Sequence, residues 1–142
     1  KTIGRIVMKD IKQASGNAIR SLYQMIMTVD KITYECHVID YNKEIHNISQ
    51  SITSFDEFCH DLIINIHPED RDGFKEFTDH DFFPKELTDK VYTSYECRIR
   101  QINNQYYWSE VTFCNATEED STIGTDCLFL IKLYPKEWTV ES

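Results

Sequence analysis

The fold is decided by Asn65-Ile66-His67-Pro68-Glu69-Asp70-Arg71 and by a second stretch, which runs from Tyr95-Glu96-Cys97-Arg98-Ile99-Arg100 through Asn103-Asn104 to Tyr106-Tyr107-Trp108-Ser109-Glu110-Val111. In the first stretch, the residue before Pro68 must be extended, and the proline itself suits the first position of a helix. The acids that follow it complement the positive end of that helix. The second stretch predicts two strands joined by a tight turn. We therefore expect a corner between two helices, followed by a β-hairpin.

The pairing of the hairpin follows from its turn. If Asn103 and Asn104 are the two turn residues, the two strands pair so that Cys97 lies opposite Glu110. The more apolar face then holds Tyr95, Cys97, Ile99, Trp108, Glu110, Thr112 and Cys114, and we expect the helices to pack over it. The opposite face holds Glu96, Arg98, Arg100, Tyr107, Ser109, Val111 and Phe113. A slip of one residue would move Glu110 to that opposite face and make Arg98 the better candidate for a ligand contact.

The remaining elements lie on both sides of these two stretches. Residues 25–29 form a short apolar run, and residues 34–41 alternate between apolar and polar side chains, so both are predicted strands. Ser54 and Glu57 form a capping box that starts a helix. A nearly continuous apolar run over residues 127–134 indicates a central strand. Two strands, then helices, then three strands predict an α+β domain.

Together these features resemble the PAS domain, and specifically the branch in which an HPEDR motif precedes a hairpin ending in W-x-E-V. The resemblance covers residues 22–133, with Asn104 where the family usually has glycine. It implies a five-stranded antiparallel sheet of order 2-1-5-4-3 with helices on one face. It also implies a structural role at the helix corner for His67, Pro68, Asp70 and Arg71.

The resemblance implies a place in signalling as well, since PAS domains are sensory and dimerisation modules. This branch commonly precedes a histidine kinase or a GGDEF diguanylate cyclase domain, so we expect an attached output domain and a homodimer. Residues 1–22 carry an apolar stripe at helical spacing and five basic residues against one acid. They predict an N-terminal flanking helix that connects and dimerises. Residues 23–134 are the predicted PAS domain, and residues 135–142 are a tail.

Composition excludes several classes of protein. A net charge of −9 argues against a nucleic-acid partner, because phosphate contacts need clustered Lys and Arg. No apolar run is long enough to insert into a bilayer. Five scattered cysteines without zinc-ligand spacing favour a reducing, cytoplasmic location, which does not exclude an upstream membrane anchor. No nucleophile-and-base motif occurs, so the domain itself is not expected to be an enzyme.

Haem and a light-sensing flavin are both disfavoured as cofactors. A haem-binding PAS domain would need a proximal histidine on the helix before the hairpin. His80 comes just before that helix, and an isolated histidine is more often at the surface or in a cap. The photochemical flavin subgroup needs a cysteine within Asn-Cys-Arg-Phe-Leu, which the chain lacks. No other cofactor is indicated.

Three functions stay open at this point. The first is a sensory PAS module that binds a small ligand through Tyr95, Cys97, Ile99, Trp108, Glu110 and Thr112, with the buried carboxylate of Glu110 meeting a ligand donor. The second is a ligand-free module that dimerises and spaces its neighbours. The third is a small cone-fold enzyme with a pocket carboxylate. The strand order separates the third function from the other two.

Overall fold

The computed structural model describes residues 23–41, 51–115 and 126–134 in full, and residues 139–140 as backbone. The strands are β1 (Met25–Asp30), β2 (Cys36–Tyr41), β3 (Tyr92–Arg100), β4 (Tyr106–Asn115), β5 (Asp126–Leu133) and β6 (Thr139–Val140). The helices are α1 (Phe55–Leu62), α2 (Arg71–Phe77) and α3 (Phe83–Asp89), with short 3-10 turns at Ile63–Asn65 and Pro68–Asp70. The predicted helix over residues 1–22 lies outside the described residues, and so does most of the predicted tail.

The sheet has the strand order β2-β1-β5-β4-β3, and every described pairing in it is antiparallel. The predicted α+β fold and strand order are therefore confirmed. The short β6 also pairs with β4, opposite Tyr106 and Tyr107. This is the order that the PAS resemblance implies, so the cone-fold alternative is not supported.

The helices begin where the local sequence predicts. The hydroxyl of Ser54 accepts a hydrogen bond from the N–H of Glu57 at 3.2 Å, which caps α1 as expected. Proline stands in the first turn of the 3-10 turn at Pro68 and again in the first turn of α3. Among the described residues, no helix is long and apolar enough to span a bilayer.

The hairpin turn is one residue longer than predicted, and the predicted pairing is therefore wrong by one residue. The N–H of Gln101 donates to the carbonyl of Gln105 at 3.0 Å, which leaves three residues in the loop. Only the last of these, Asn104, has a left-handed backbone, with φ at 67°. A type I′ turn needs two such residues, whereas a three-residue loop needs one at its end. Cys97 consequently lies opposite Ser109 rather than Glu110.

Candidate functional site

The helix corner, residues 63–70 between α1 and α2, is hydrogen-bonded to β3, the strand at one edge of the sheet. The ring nitrogen Nδ1 of His67 accepts from the N–H of Glu69 at 3.1 Å, and the main-chain N–H of His67 donates to the carbonyl of Arg98 at 2.8 Å. One residue earlier, Ile66 forms an antiparallel bridge with Ile99. Because an unpaired edge strand is open to association with other chains, this corner protects β3.

The ion pair between Arg98 and Asp70 holds that contact in place. Two donors of the Arg98 guanidinium reach the carboxylate of Asp70, Nε at 2.8 Å and Nη2 at 2.7 Å, and the Arg98 main-chain N–H reaches it at 2.8 Å. Burial alone would raise the pKa of the Asp70 carboxyl, but these hydrogen bonds and the Arg98 charge hold it below its usual value. The same guanidinium lies 4.9 Å from the ring centroid of Trp108, within cation–π range. Arg98 thus links the helix corner, the edge strand and the outer face of the sheet, which is the face away from the helices.

Tyr95 is engaged with the same corner. Its hydroxyl donates to the carbonyl of Asp70 at 3.0 Å, and its ring stacks on Phe77 with a centroid distance of 5.8 Å. A methyl group at Gly73 would collide with this hydroxyl, so α2 packs as closely as a glycine allows. Burial, followed by the charge of Asp70, raises the pKa of Tyr95. The tyrosine is therefore a neutral donor within the packed domain.

The structure does not bring the six predicted ligand residues together. The cluster beneath the helices includes the almost fully buried Cys97 and Ile99, and the half-buried Tyr95 packs against it. In β4, the residues in this cluster are Val111 and Phe113. Trp108, Glu110 and Thr112 alternate with them and lie on the face away from the helices. The expectation that Glu110 faces the helices is wrong, and the longer loop is the cause.

Aromatic rings fill the space between the sheet and the helices. Phe113 lies at the centre, with ring centroids at 4.1 Å to Phe83, 4.9 Å to Phe129, 5.2 Å to Phe77 and 5.6 Å to Phe55. Its ring and that of Phe83 are stacked within 3° of parallel. Such distances are those of rings in direct contact. Sequence reasoning missed this cluster, although the apolar pair Val111 and Phe113 could have indicated which face of β4 is buried.

The outer face of the sheet divides into a charged end and an apolar end. At the charged end, Glu110 lies opposite Glu96 in β3 and Lys132 in β5. The hydroxyl of Tyr134 donates to Glu96 at 2.7 Å; burial and this carboxylate raise the pKa of Tyr134. At the apolar end, Ile26, Cys114, Leu128 and Leu130 form a second cluster, with Tyr23 and Ile39 packed against it.

A small groove of about 190 Å³ separates α1 from α2, and its lining includes Cys59, Ile63 and Phe74. Nearby, His80 stacks on the ring of Tyr34 at a centroid distance of 3.5 Å and contacts Asp56 at 2.7 Å. The only histidine considered for haem is therefore held between two other side chains. Within the described ranges, no group of His, Cys, Asp or Glu side chains has the arrangement of a metal site.

The five cysteines are free thiols in this structure. Burial raises the pKa of Cys36 to about 11 and that of Cys114 to about 12. Burial also raises the pKa of Cys59, Cys97 and Cys127. Because the thiolate is the reactive form of cysteine, these thiols are poor nucleophiles at neutral pH.

Comparison with known proteins supports the fold. No protein-family model matches the sequence, and no curated protein matches it. Among solved structures, the chain is similar to an RNA-binding light-oxygen-voltage receptor, a PAS-family protein, with a TM-score of 0.53 and 11% identity over 77% of this chain. The match spans 28% of that receptor. A domain of the putative light and redox sensing histidine kinase from Haloarcula marismortui gives a TM-score of 0.47 and 15% identity, over 92% of this chain and 98% of that one. The first likeness and the strand order define a PAS-like fold.

Proposed function

We propose that the chain is a signal-transducing PAS module, which relays a change to an attached output domain and is not itself an enzyme. The observation that supports this proposal is the sheet of order β2-β1-β5-β4-β3 with helices over one face, a fold similar to that of a light-oxygen-voltage receptor. The proposed output domain is a histidine kinase or a diguanylate cyclase, as the HPEDR motif and its hairpin suggest.

Within this class, the packing between sheet and helices favours a module that encloses no small molecule there. A ligand in that space would have to displace rings such as Phe83 and Phe113, which are completely buried. Burying one such side chain contributes about 1.5–3 kcal/mol, so displacing several would be costly. The alternative is a ligand-binding module, in which Tyr95, Cys97 and Ile99 are the predicted contacts that lie on the helix side.

A homodimer built with residues 1–22 completes the proposal. The face of the sheet away from the helices carries the apolar cluster around Ile26 and Leu130. Residues 1–22 end immediately before Tyr23, which packs against that cluster. We infer that the apolar stripe of residues 1–22 packs on a second copy of the chain, because a large apolar patch left exposed usually marks an interface.

Light scattering on the full chain and on a version starting at residue 23 tests the dimer. We expect a dimer mass for the first and a monomer mass for the second. Replacing Val7 and Ile11 on the apolar stripe by serine should also reduce the mass to that of a monomer. The same change at Lys9 and Gln13, off the stripe, should leave the dimer intact. A monomer mass for the unmodified full chain would contradict this part of the proposal.

A further inference from the structure

Two arginines meet at one carbonyl oxygen beside the helix corner. The Nη2 atoms of Arg71 and Arg100 lie 3.3 Å and 3.4 Å from the carbonyl oxygen of Ile64. Arg71 also donates through Nε to the carbonyl of Ile66 at 2.8 Å, and Arg100 donates to the side-chain oxygen of Asn65 at 3.1 Å. Two guanidinium groups are thus held side by side by neutral oxygens alone.

Neither guanidinium group pairs with a carboxylate among the described residues. The two acids that precede Arg71, Glu69 and Asp70, both pair with Arg98 instead. This is unexpected in a chain with 24 acidic and 15 basic residues, where carboxylates are abundant. Two like charges at this separation repel each other, and an anion placed between them would offset the repulsion.

The arrangement also leaves a hydrogen-bond donor unpaired. The Nε–H of Arg100 is buried without a partner. An unpaired buried donor costs free energy of folding, which the hydrogen bonds of Arg100 to Ile64 and Asn65 must offset. The Nη1 groups of Arg71 and Arg100 take part in none of the hydrogen bonds described above. Guanidinium groups bind carboxylate and phosphate oxygens in pairs of parallel hydrogen bonds, so these two can share one oxyanion.

Two exposed isoleucines accompany the arginines and indicate what carries the oxyanion. Ile64 is 51% exposed in the turn that both arginines contact, and Ile102 is 61% exposed two residues after Arg100. A free inorganic anion would gain nothing from apolar neighbours, whereas a protein segment with both acidic and apolar side chains would contact both kinds of group. We propose that Arg71 and Arg100, with these isoleucines, form a docking surface for an acidic, partly apolar segment of a partner protein.

Side-chain NMR of the arginine Nε–H groups in the full chain tests this proposal. The probe is the peptide acetyl-Leu-Glu-Glu-Leu-Glu-Glu-amide, compared with its lysine counterpart and with inorganic phosphate. We expect saturable shifts at Arg71 and Arg100 with the acidic peptide only, and weaker binding as salt is raised. Arg71→Gln and Arg100→Gln should each weaken binding about tenfold, which corresponds to one charge-assisted contact.

Lys85→Gln is the matched control, because it removes one exposed positive charge elsewhere on the domain and should leave binding unchanged. Absence of shifts with the acidic peptide would overturn the proposal. Equal shifts with phosphate would overturn the assignment to a protein segment. Binding that survives both arginine substitutions in a folded protein would overturn the assignment to these residues. The dimer mass is measured separately, so the two proposals can fail independently.

Discussion

Replacing Asp70 by asparagine tests the contact that joins the helix corner to the sheet. The carboxylate accepts three hydrogen bonds from Arg98, all of 2.8 Å or less, and the side chains of this pair are 12% and 16% exposed. Asparagine keeps one oxygen that can accept from the main-chain N–H but removes the negative charge. Of the acids that the structure describes, the guanidinium would then keep only Glu69, at 3.3 Å, as a partner.

The expected loss of stability is about 2–3 kcal/mol in the free energy of unfolding. Breaking a buried ion pair by removing one partner typically costs roughly 3–5 kcal/mol. The value here is smaller because the pair is not completely buried and one hydrogen bond is retained. Urea unfolding of both proteins, followed by circular dichroism, measures the difference. Glu69→Gln is the matched control: its carboxylate contacts the same arginine but is 75% exposed, so its loss should cost less than about 1 kcal/mol.

A double-mutant cycle with Arg98→Gln separates this ion pair from other effects of the substitutions. Residues within one hydrogen-bonded pair usually couple by about 0.5–3 kcal/mol, and we expect a coupling energy near the upper part of that range. One contrary outcome is that Asp70→Asn costs no more stability than Glu69→Gln, and another is that its effect simply adds to that of Arg98→Gln. In either case, the pair of Asp70 and Arg98 does not hold the helix corner against the edge strand. That result would refute the reasoning.

Three further predictions concern pH, the core and the turn. Folding lowers the pKa of the Asp70 carboxyl, so its ion pair stabilises the protein above pH ~4, and this stabilisation is lost as the pH falls through the pKa of the folded state. The difference in unfolding free energy between wild type and Asp70→Asn should therefore shrink in acid titrations below pH ~4. Phe113→Ala should lower the free energy of unfolding, measured in urea, by about 3–5 kcal/mol. Tyr92→Ala, at a side chain that is 42% exposed, should have a small effect. Similar losses of stability in the two variants would argue against the central position of Phe113. Asn104→Ala should cost about 1–2 kcal/mol, because alanine disfavours the left-handed backbone, while Asn104→Gly should not destabilise to that extent.

The elements of the fold were predictable because their signals are local. The capping box at Ser54 and the proline at Pro68 act within one helical turn, so each can be identified without the rest of the structure. The apolar run of β5 indicates a central strand for a similar reason. The strand order came from the family resemblance, and no local feature supplies it.

The hairpin register was not predictable from the turn alone. Asn104 adopts a left-handed backbone in either loop length, so the sequence of the turn fits both pairings. The choice depends on which side chains of β4 are buried, and burying Val111 and Phe113 is more favourable than burying Glu110 and Thr112. The Asp70–Arg98 pair could not be predicted either, since it joins two elements whose contact depends on that register.

The central claim is that the interior of this PAS-like module is filled by its own side chains. Extraction of small molecules from the purified protein tests it most directly. Native mass spectrometry followed by denaturation would compare the mass of the folded chain with that of the unfolded one. If the interior is filled by the protein's own side chains, both masses should equal the mass calculated from the sequence, and no stoichiometric small molecule should be released. A molecule released in stoichiometric amount, whose binding is abolished by enlarging Cys97 on the helix side of the sheet (Cys97→Phe), would contradict it.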